Sequence, residues 1–234
     1  MHDTRVSLMQ PYFFPYLGLF ELMSAADVYC HYDNAAFSKN GWQNRNRIDD
    51  GRGGWCYFGF SVVKSPLGTP ISGIRLANKL KDVNRLMGLL SVYRQAPYFR
   101  QVGALVGAAF ETNTDRLADI SMAALESTTD YLGLSPLFRR STQVSADFSG
   151  TAQEKVLSVC RSLGATTYIN LSGGRDLYDA ATFDGMGVRL RFTAPELVHL
   201  ADRSVGESLS VLHTMMFNSP EQIRRSLLRR ILHE

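Results

Sequence analysis

A run of aromatic residues interrupted by two prolines lies near the N-terminus and restricts the fold more than any other segment. The run spans residues 10–18 and reads Gln-Pro-Tyr-Phe-Phe-Pro-Tyr-Leu-Gly. Proline fixes φ and removes a backbone donor, so this run cannot be a regular helix or a central strand. An apolar strand at 6–9 precedes it and an apolar helix at 19–26 follows it. The run is therefore predicted to be a shaped loop that joins a core strand to a core helix.

A second predicted strand at residues 28–33 makes this start a βαβ unit with a right-handed crossover. Ligands of such folds bind at the carboxyl ends of the strands. Those ends are Gln10 and Asp33, so we expect an amide and a carboxylate beside the aromatic loop. Two of the four rings in the loop are expected to fill the core. Tyr12 and Tyr16, which carry hydroxyls, are the expected ligand-facing pair.

The following segment combines cationic, amide and aromatic side chains and is predicted to form a β-hairpin. Its strands are expected at 42–48 and 55–63, with a turn at 49–54. Period-two alternation places Arg45 and Arg47 on one face, about 7 Å apart, a spacing that suits a diphosphate. With Lys39 and Arg52 they form a local basic patch that could hold a phosphate. The opposite face would carry an aromatic, two amides and an aliphatic side chain: Trp42, Asn44, Asn46 and Ile48.

Six short motifs, some of them within the segments described above, are distributed over nearly the whole chain. They are Gln-Pro-Tyr-Phe-x-Pro-Tyr-x-Gly at 10–18, Tyr-Asp at 32–33, Phe-Ser-Lys at 37–39, Trp-x-Asn-Arg-Asn-Arg-Ile at 42–48, Tyr-Arg-Gln-Ala-Pro-Tyr-Phe at 93–99 and Leu-Ser-Gly-Gly-Arg-Asp-Leu-Tyr at 171–178. The match is weaker at 93–99 than elsewhere. This set of motifs resembles that of the WbqC-like proteins of bacteria.

The resemblance implies a role in O-antigen or other surface polysaccharide biosynthesis. It implies a transferase that adds an acyl or aminoacyl group, such as glycine, to an amino sugar. The expected partners are a nucleotide-activated or lipid-linked amino sugar and an acyl donor that the residues do not specify. The alternative is a non-catalytic subunit that binds a nucleotide sugar and recruits it to a partner enzyme, because the sequence shows no assured nucleophile, metal site or cofactor motif.

Two residues of the second predicted strand are candidates for acid–base chemistry. Asp33 closes the strand and could position or deprotonate an amine. His31 lies on the same face, so both side chains face either a pocket or a packed helix. Cys30 lies within an apolar strand and is expected to be an inert core thiol.

A glycine pair follows a later predicted strand. Gly173 and Gly174 would allow close approach of a phosphate or a sugar, and Arg175 could supply a guanidinium fork. A simple chain reversal is equally compatible with this turn. The residues predicted to bind substrate are thus Gln10, Tyr12, Tyr16, Lys39, Trp42, Asn44, Arg45, Asn46, Arg47, Gly173, Gly174 and Arg175.

Composition excludes several classes of protein. A net charge of +3 is too mild for a general nucleic-acid binder. No transmembrane segment or signal peptide is found, and three cysteines show no metal-like spacing, so a cytoplasmic protein without disulfides is expected. No P-loop or G-x-G-x-x-G fingerprint follows a strand, so no cofactor is predicted. His199 and His213 lack a carboxylate partner at a recognisable spacing, and no metal site is predicted.

The pattern as a whole predicts an α/β fold in one domain, 1–234. Its core is a mainly parallel, Rossmann-like sheet with βαβ units, a β-hairpin insertion, and a helical middle (82–133) and C-terminal cover. Residues 138–144 are read as an edge strand, the alternative being that Ser141 and Gln143 point into a site. The other expected elements are a short strand at 71–76, helices from an Asp82 N-cap to 97 and at 98–111, 114–132, 155–163, 204–217 and 221–232, and strands at 166–171 and 188–192.

Overall fold

A five-stranded sheet forms the centre of the computed structural model, which describes residues 3–193 and 209–228. The strands are β1 (Arg5–Met9), β2 (Val28–His31), β3 (Arg45–Asp49), β4 (Trp55–Gly59), β5 (Leu137–Arg140), β6 (Thr167–Leu171) and β7 (Arg189–Thr193). The central sheet has the order β5-β2-β1-β6-β7, and all its neighbouring strands are parallel. β3 and β4 form a separate antiparallel hairpin. The predicted α/β fold with a parallel sheet and a hairpin is confirmed.

Helices cover both faces of the central sheet. They are α1 (Gly18–Ala25), α2 (Lys79–Leu90), α3 (Phe99–Ala109), α4 (Leu117–Tyr131), α5 (Ala152–Ser162), α6 (Ala180–Gly185), α7 (Val211–Phe217) and α8 (Pro220–Leu228). One core contains Tyr29 and Ile169 with residues of α1, α4, α7 and α8. The other contains Cys30 and Tyr168 with residues of α5 and α6. Because side chains alternate along a strand, neighbouring residues of β2 and β6 pack into opposite cores.

The order of the strands reverses between β1 and β6. The chain passes from β1 through β2 to β5 on one side, and through β6 to β7 on the other. In doubly wound sheets the crevice outside the carboxyl ends at such a switch point is the usual ligand site. Here β1 leads into the aromatic loop and β6 leads into the glycine pair. The topology therefore places these two segments at neighbouring positions on one edge of the sheet.

Two predictions about local structure were wrong. Residues 71–76 were expected to be a strand, but Ile71–Gly73 is a 3-10 turn. Its backbone N–H groups bond to the segment after β2, from Ile71 to the carbonyl of Ala35 and from Ser72 to that of Asp33. Asp82 was expected to be the N-cap of α2. The cap is Asn78, whose side chain accepts from the N–H of Lys81.

Other predicted elements were confirmed, and some are shorter than predicted. β5 is an edge strand, as expected for this segment. The capping box at the start of α5 is present, with Thr151 and Glu154 bonding reciprocally. The hairpin is shorter at both ends than predicted, and α6 was not predicted. The C-terminal helices are described over Val211–Phe217 and Pro220–Leu228, and the parts predicted at 204–208 and 229–232, like His199, lie outside the described residues.

Candidate functional site

The hairpin is fastened to the aromatic loop at the carboxyl end of β1. The side chain of Gln43 donates a hydrogen bond to Gln10 Oε1 at 2.8 Å. The backbone N–H of Phe13 bonds to the carbonyl of Trp42 at 3.3 Å. The buried amide of Asn46 donates to the carbonyls of Phe13 and Phe14. These contacts bring residues predicted to bind substrate together beside the switch point.

The four rings of the aromatic loop divide as predicted. Phe13 and Phe14 are fully buried in the core. Tyr16 is 38% exposed, and Tyr12 is partly buried. Burial raises the pKa of the Tyr12 hydroxyl, which therefore stays protonated and able to donate at neutral pH. The two hydroxyl-bearing rings are the ones that remain accessible.

The backbone of the aromatic loop is strained at Phe14. Its φ is 39°, a region that bulky side chains rarely adopt. The carbonyl of Phe14 accepts hydrogen bonds from Asn46 Nδ2 at 2.7 Å and from the Ser210 hydroxyl at 2.6 Å. Such strain costs on the order of 1–3 kcal/mol and persists where surrounding contacts fix it. The hairpin and the start of α7 therefore determine the shape of the loop.

The outer face of the hairpin carries cationic and aromatic side chains in contact. Arg45 and Arg47 share this face, as predicted, and Arg47 pairs with Tyr57 across the strands. The guanidinium of Arg45 lies 4.3 Å from the centre of the Tyr57 ring, and that of Arg47 lies 4.4 Å from the Trp55 ring. Each such contact is worth roughly 0.5–2 kcal/mol. The arginines are thus oriented by the rings beneath them.

The face predicted for Trp42 was wrong. Alternation was expected to place it with Asn44 and Asn46, opposite the arginines. Because β3 begins only at Arg45, alternation does not extend back to Trp42. Its ring lies 5.0 Å from the guanidinium of Arg47 and is 41% exposed. Trp42 therefore belongs to the cationic face and offers an open aromatic surface.

The remaining predicted residues of this segment differ in exposure. Asn44 is partly buried, and its amide donates to the carbonyl of Phe60 at 2.9 Å. Asn46 is 4% exposed and is occupied by the aromatic loop. Lys39 is exposed in the turn before β3. Of these three, Lys39 has the most accessible side chain.

Asp33 is fully buried at the end of β2, and its carboxylate holds the chain that follows β5. It accepts from Arg140 Nε, the Ser141 hydroxyl, and the backbone N–H and hydroxyl of Thr142, all at 2.9–3.0 Å. Burial by itself would raise the pKa of Asp33, but these hydrogen bonds outweigh it and the pKa is lowered. Asp33 is therefore a charged anchor at neutral pH. Its role as a base stays a prediction, and these contacts favour an anchoring role.

Ser141 helps to hold the Asp33 carboxylate, a role that the edge-strand interpretation did not include. It is 1% exposed and donates to Asp33, whereas Gln143 is exposed. Arg140, which also holds Asp33, bonds to Asp119 of α4 at 2.9 Å. The only sign of this network in the sequence is the group of polar residues that directly follows β5.

His31 faces a packed helix, one of the two alternatives for its orientation. Its ring is fully buried and stacks on Phe138 at a centroid distance of 5.3 Å. Nε2 lies 3.1 Å from Glu126 Oε1 on α4. Cys30, on the other face, is fully buried, and burial raises its pKa to about 12, as expected for an inert thiol.

The glycine pair forms part of a 3-10 turn, Ser172–Leu177, at the end of β6. A Cβ atom at Gly173 would meet nothing within 4 Å. A Cβ atom at Gly174 would lie 2.9 Å from Asn170 Nδ2, whose amide bonds to the Tyr178 hydroxyl. Arg175 is exposed, with its guanidinium 4.9 Å from the ring centre of Phe192. Gly173 therefore borders open space, whereas a side chain at Gly174 would have to displace the amide of Asn170.

Residues 10–225 match the model of the WbqC-like protein family. The chain belongs to this family. The uncharacterized protein Rv1507c of Mycobacterium tuberculosis (strain ATCC 25618 / H37Rv) is 23% identical over 196 residues, which cover 80% of this chain and 80% of that protein. No solved structure matches the chain.

In this WbqC-like protein, three of the motifs that carry the resemblance meet at one edge of the sheet. The segments 10–18 and 42–48 are hydrogen-bonded to each other, and 171–178 begins beside them at the end of β6. Within residues 3–193 and 209–228, no three His, Cys, Asp or Glu side chains are grouped so that they could hold a metal ion. In the same ranges, no helix has the length and apolarity needed to cross a membrane.

Proposed function

We propose that this WbqC-like protein acts in surface polysaccharide biosynthesis. It binds an amino sugar carried on a nucleotide or lipid diphosphate and transfers an acyl or aminoacyl group to the sugar nitrogen. The observation that carries this proposal is the meeting of three motifs, 10–18, 42–48 and 171–178, at the switch point between β1 and β6, where doubly wound sheets bind ligands.

The accessible groups at this edge suit a sugar with a charged carrier. Tyr16 and Trp42 offer exposed rings on which a sugar ring can pack. Arg175, which is exposed, offers a guanidinium group to an anionic part of the ligand. Gly173 leaves room for close approach of the ligand to the backbone.

The proposed reaction is the attack of the sugar amine on the acyl carbonyl carbon. A C–N bond forms, the bond from that carbon to the donor's leaving group breaks, and the leaving group departs with the electron pair. The amine loses one proton to a base. Asp33 was the base predicted from sequence, but its hydrogen bonds with Arg140, Ser141 and Thr142 support an anchoring role.

A second candidate is a subunit that binds the sugar carrier and delivers it to a partner enzyme. The occupied state of the Asp33 carboxylate favours this candidate, because a carboxylate engaged by four donors cannot accept a proton without losing at least one of these hydrogen bonds. Turnover separates the two. Purified protein is titrated with nucleotide-linked amino sugars by calorimetry, then incubated with activated acyl or aminoacyl donors and followed by mass spectrometry. Binding with a product of increased mass supports the transferase, binding without product supports the subunit, and absence of binding contradicts both.

Replacement of Gly173 by alanine is expected to weaken ligand binding at the switch point by about tenfold without lowering stability. The added methyl group meets no protein atom within 4 Å and requires no positive φ. The methyl group therefore occupies only space that the ligand would use. A tenfold loss of affinity corresponds to about 1.4 kcal/mol of binding free energy.

The matched control for this variant is Gly185→Ala, at the end of α6, where a Cβ atom also meets nothing within 4 Å. Calorimetric titration with a nucleotide-linked amino sugar and thermal unfolding are measured for both variants. Equal affinity of Gly173→Ala and the parent would show that the turn is only a chain reversal.

A further inference from the structure

A groove of about 380 Å³ lies between the outer face of the hairpin and helix α2. It is lined on the hairpin side by Arg45, Asn44 and Tyr57, and on the helix side by Lys81 and Arg85. The volume lies within the range of small-molecule sites, roughly 300–1,000 Å³. The motifs used for the proposed function include only the hairpin side of this groove.

The three cationic side chains of the groove are not neutralised within the described residues. The guanidinium of Arg45 lies over the face of the Tyr57 ring, and its Nε is buried without a hydrogen-bond partner among these residues. Neither Lys81 nor Arg85 makes a salt bridge or a side-chain hydrogen bond to residues 3–193 or 209–228. A buried N–H without an acceptor costs about 1–3 kcal/mol. A ligand that supplies acceptor oxygens would recover this energy.

The acidic residue of the groove is already engaged. Asp82 lines it, but its carboxylate accepts both the backbone N–H and the hydroxyl of Ser61, at 2.9 and 2.8 Å. Three cations therefore face one carboxylate that is held by other donors. The balance of charge favours an anion that carries more than one negative charge.

A neutral acceptor also borders the groove. The amide of Asn44 donates to Phe60, which leaves its Oδ1 buried and without a donor among the described residues. A ligand with hydroxyl or N–H groups next to its phosphates could satisfy this oxygen. A nucleotide or a sugar phosphate has such groups.

We propose that this groove binds the diphosphate of the sugar carrier, with Lys81 and Arg85 of α2 opposing Arg45 of the hairpin. Arg45 is aimed by stacking on Tyr57 to bind phosphate oxygens with its guanidinium fork. The identity of the carrier rests on the proposed function, but the preference of the groove for a diphosphate does not. The diphosphate could belong to a nucleotide or to an isoprenoid lipid.

The test is calorimetric titration of the parent and the double variant Lys81→Gln/Arg85→Gln with three probes. Inorganic pyrophosphate reports on the shared chemistry, UDP on a nucleotide and geranyl diphosphate on an isoprenoid lipid. Both side chains are exposed on α2, so the substitutions leave the fold intact. The double variant is expected to bind pyrophosphate about tenfold more weakly, and the loss should shrink as salt concentration rises. Of UDP and geranyl diphosphate, the one that the parent binds more tightly identifies the carrier as a nucleotide or an isoprenoid lipid.

The control is Arg94→Gln/Arg100→Gln, which removes the same charge from exposed positions that do not line the groove. It is expected to bind all three probes like the parent. Three results overturn the proposal: no heat of binding from the parent with any probe at millimolar concentrations, equal losses in the test and control variants, or product formed by Lys81→Gln/Arg85→Gln at the parental rate and affinity. If Lys81→Gln/Arg85→Gln weakens pyrophosphate binding while the parent forms no acylated sugar, the groove stands and the transferase reading fails. If product forms at the parental rate and affinity in that variant, the groove reading fails and the transferase stands.

Discussion

Replacement of Asp33 by asparagine is expected to lower the free energy of unfolding by about 3 kcal/mol, because a buried ion pair loses one partner. The carboxylate accepts from Arg140, Ser141 and Thr142, and an amide of the same shape carries no charge and directs an NH2 group at one of these donors. Arg140 would be left to Asp119 alone. Urea unfolding at neutral pH, followed by circular dichroism, measures the loss.

The dependence of this loss on pH follows from the direction of the pKa shift. The pKa of Asp33 is lowered in the folded protein, because the hydrogen bonds outweigh the effect of burial. The stability that the charged form contributes is therefore fully present above the unfolded pKa, about 3.9, and is lost as the pH falls through the folded pKa. The difference in stability between the parent and Asp33→Asn should shrink below about pH 4.

Asp184→Asn is the matched control, since Asp184 is exposed on α6 and the same atoms are exchanged there. It is expected to unfold like the parent. If Asp33→Asn also unfolds like the parent but abolishes formation of an acylated sugar, the anchoring role is wrong and the base predicted from sequence is supported.

The sequence predicted those features that depend on neighbouring residues. Proline and aromatic content identified the loop at 10–18, and the hydroxyls of Tyr12 and Tyr16 separated the accessible rings from Phe13 and Phe14. Alternation placed Arg45 and Arg47 on one face because both lie within β3. Local periodicity is enough for such assignments.

Features that depend on distant contacts could not be predicted in this way. The donors to Asp33 come from residues more than 100 positions later, and only the parallel pairing of β2 with β5 brings them together. The switch point likewise depends on the pairing of β1 with β6, which no local pattern encodes. Trp42 was misplaced because the alternation was extended beyond the start of the strand, and strand boundaries are the least certain part of a pattern.

The glycine pair shows how a structure divides a sequence motif. The two residues looked equivalent in the sequence, and neither has a positive φ. Gly174 is packed against Asn170, so its lack of a side chain serves the fold. Gly173 borders open space, so it is the member of the pair whose substitution tests ligand binding.

Replacement of Asn46 by aspartate is expected to lower the free energy of unfolding by about 3 kcal/mol or more, because a buried charge would face two carbonyl oxygens. The Asn46 amide donates to Phe13 and Phe14, and no carboxylate can do so. The bond to Phe14 also holds its strained backbone at a φ of 39°. Urea unfolding measures the loss. Fluorescence of the two tryptophans, Trp42 and Trp55, both in the hairpin segment, reports whether the hairpin separates from the loop at lower urea than the global transition.

The stability deficit of this variant should also shrink as the pH falls, but over a higher pH range than that of Asp33→Asn, because the folded pKa of the introduced carboxyl is raised whereas that of Asp33 is lowered. Burial beside carbonyls raises the folded pKa of the introduced carboxyl, so the folded state binds more protons than the unfolded state and stability falls as the pH rises. The deficit relative to the parent should therefore be smaller at about pH 4.5 than at about pH 7. Asn113→Asp, at an exposed position, is the control and should show no such deficit. If Asn46→Asp unfolds like the parent at neutral pH yet loses nucleotide-sugar binding, Asn46 contacts the ligand rather than the aromatic loop, and the loop is held by Ser210 without it.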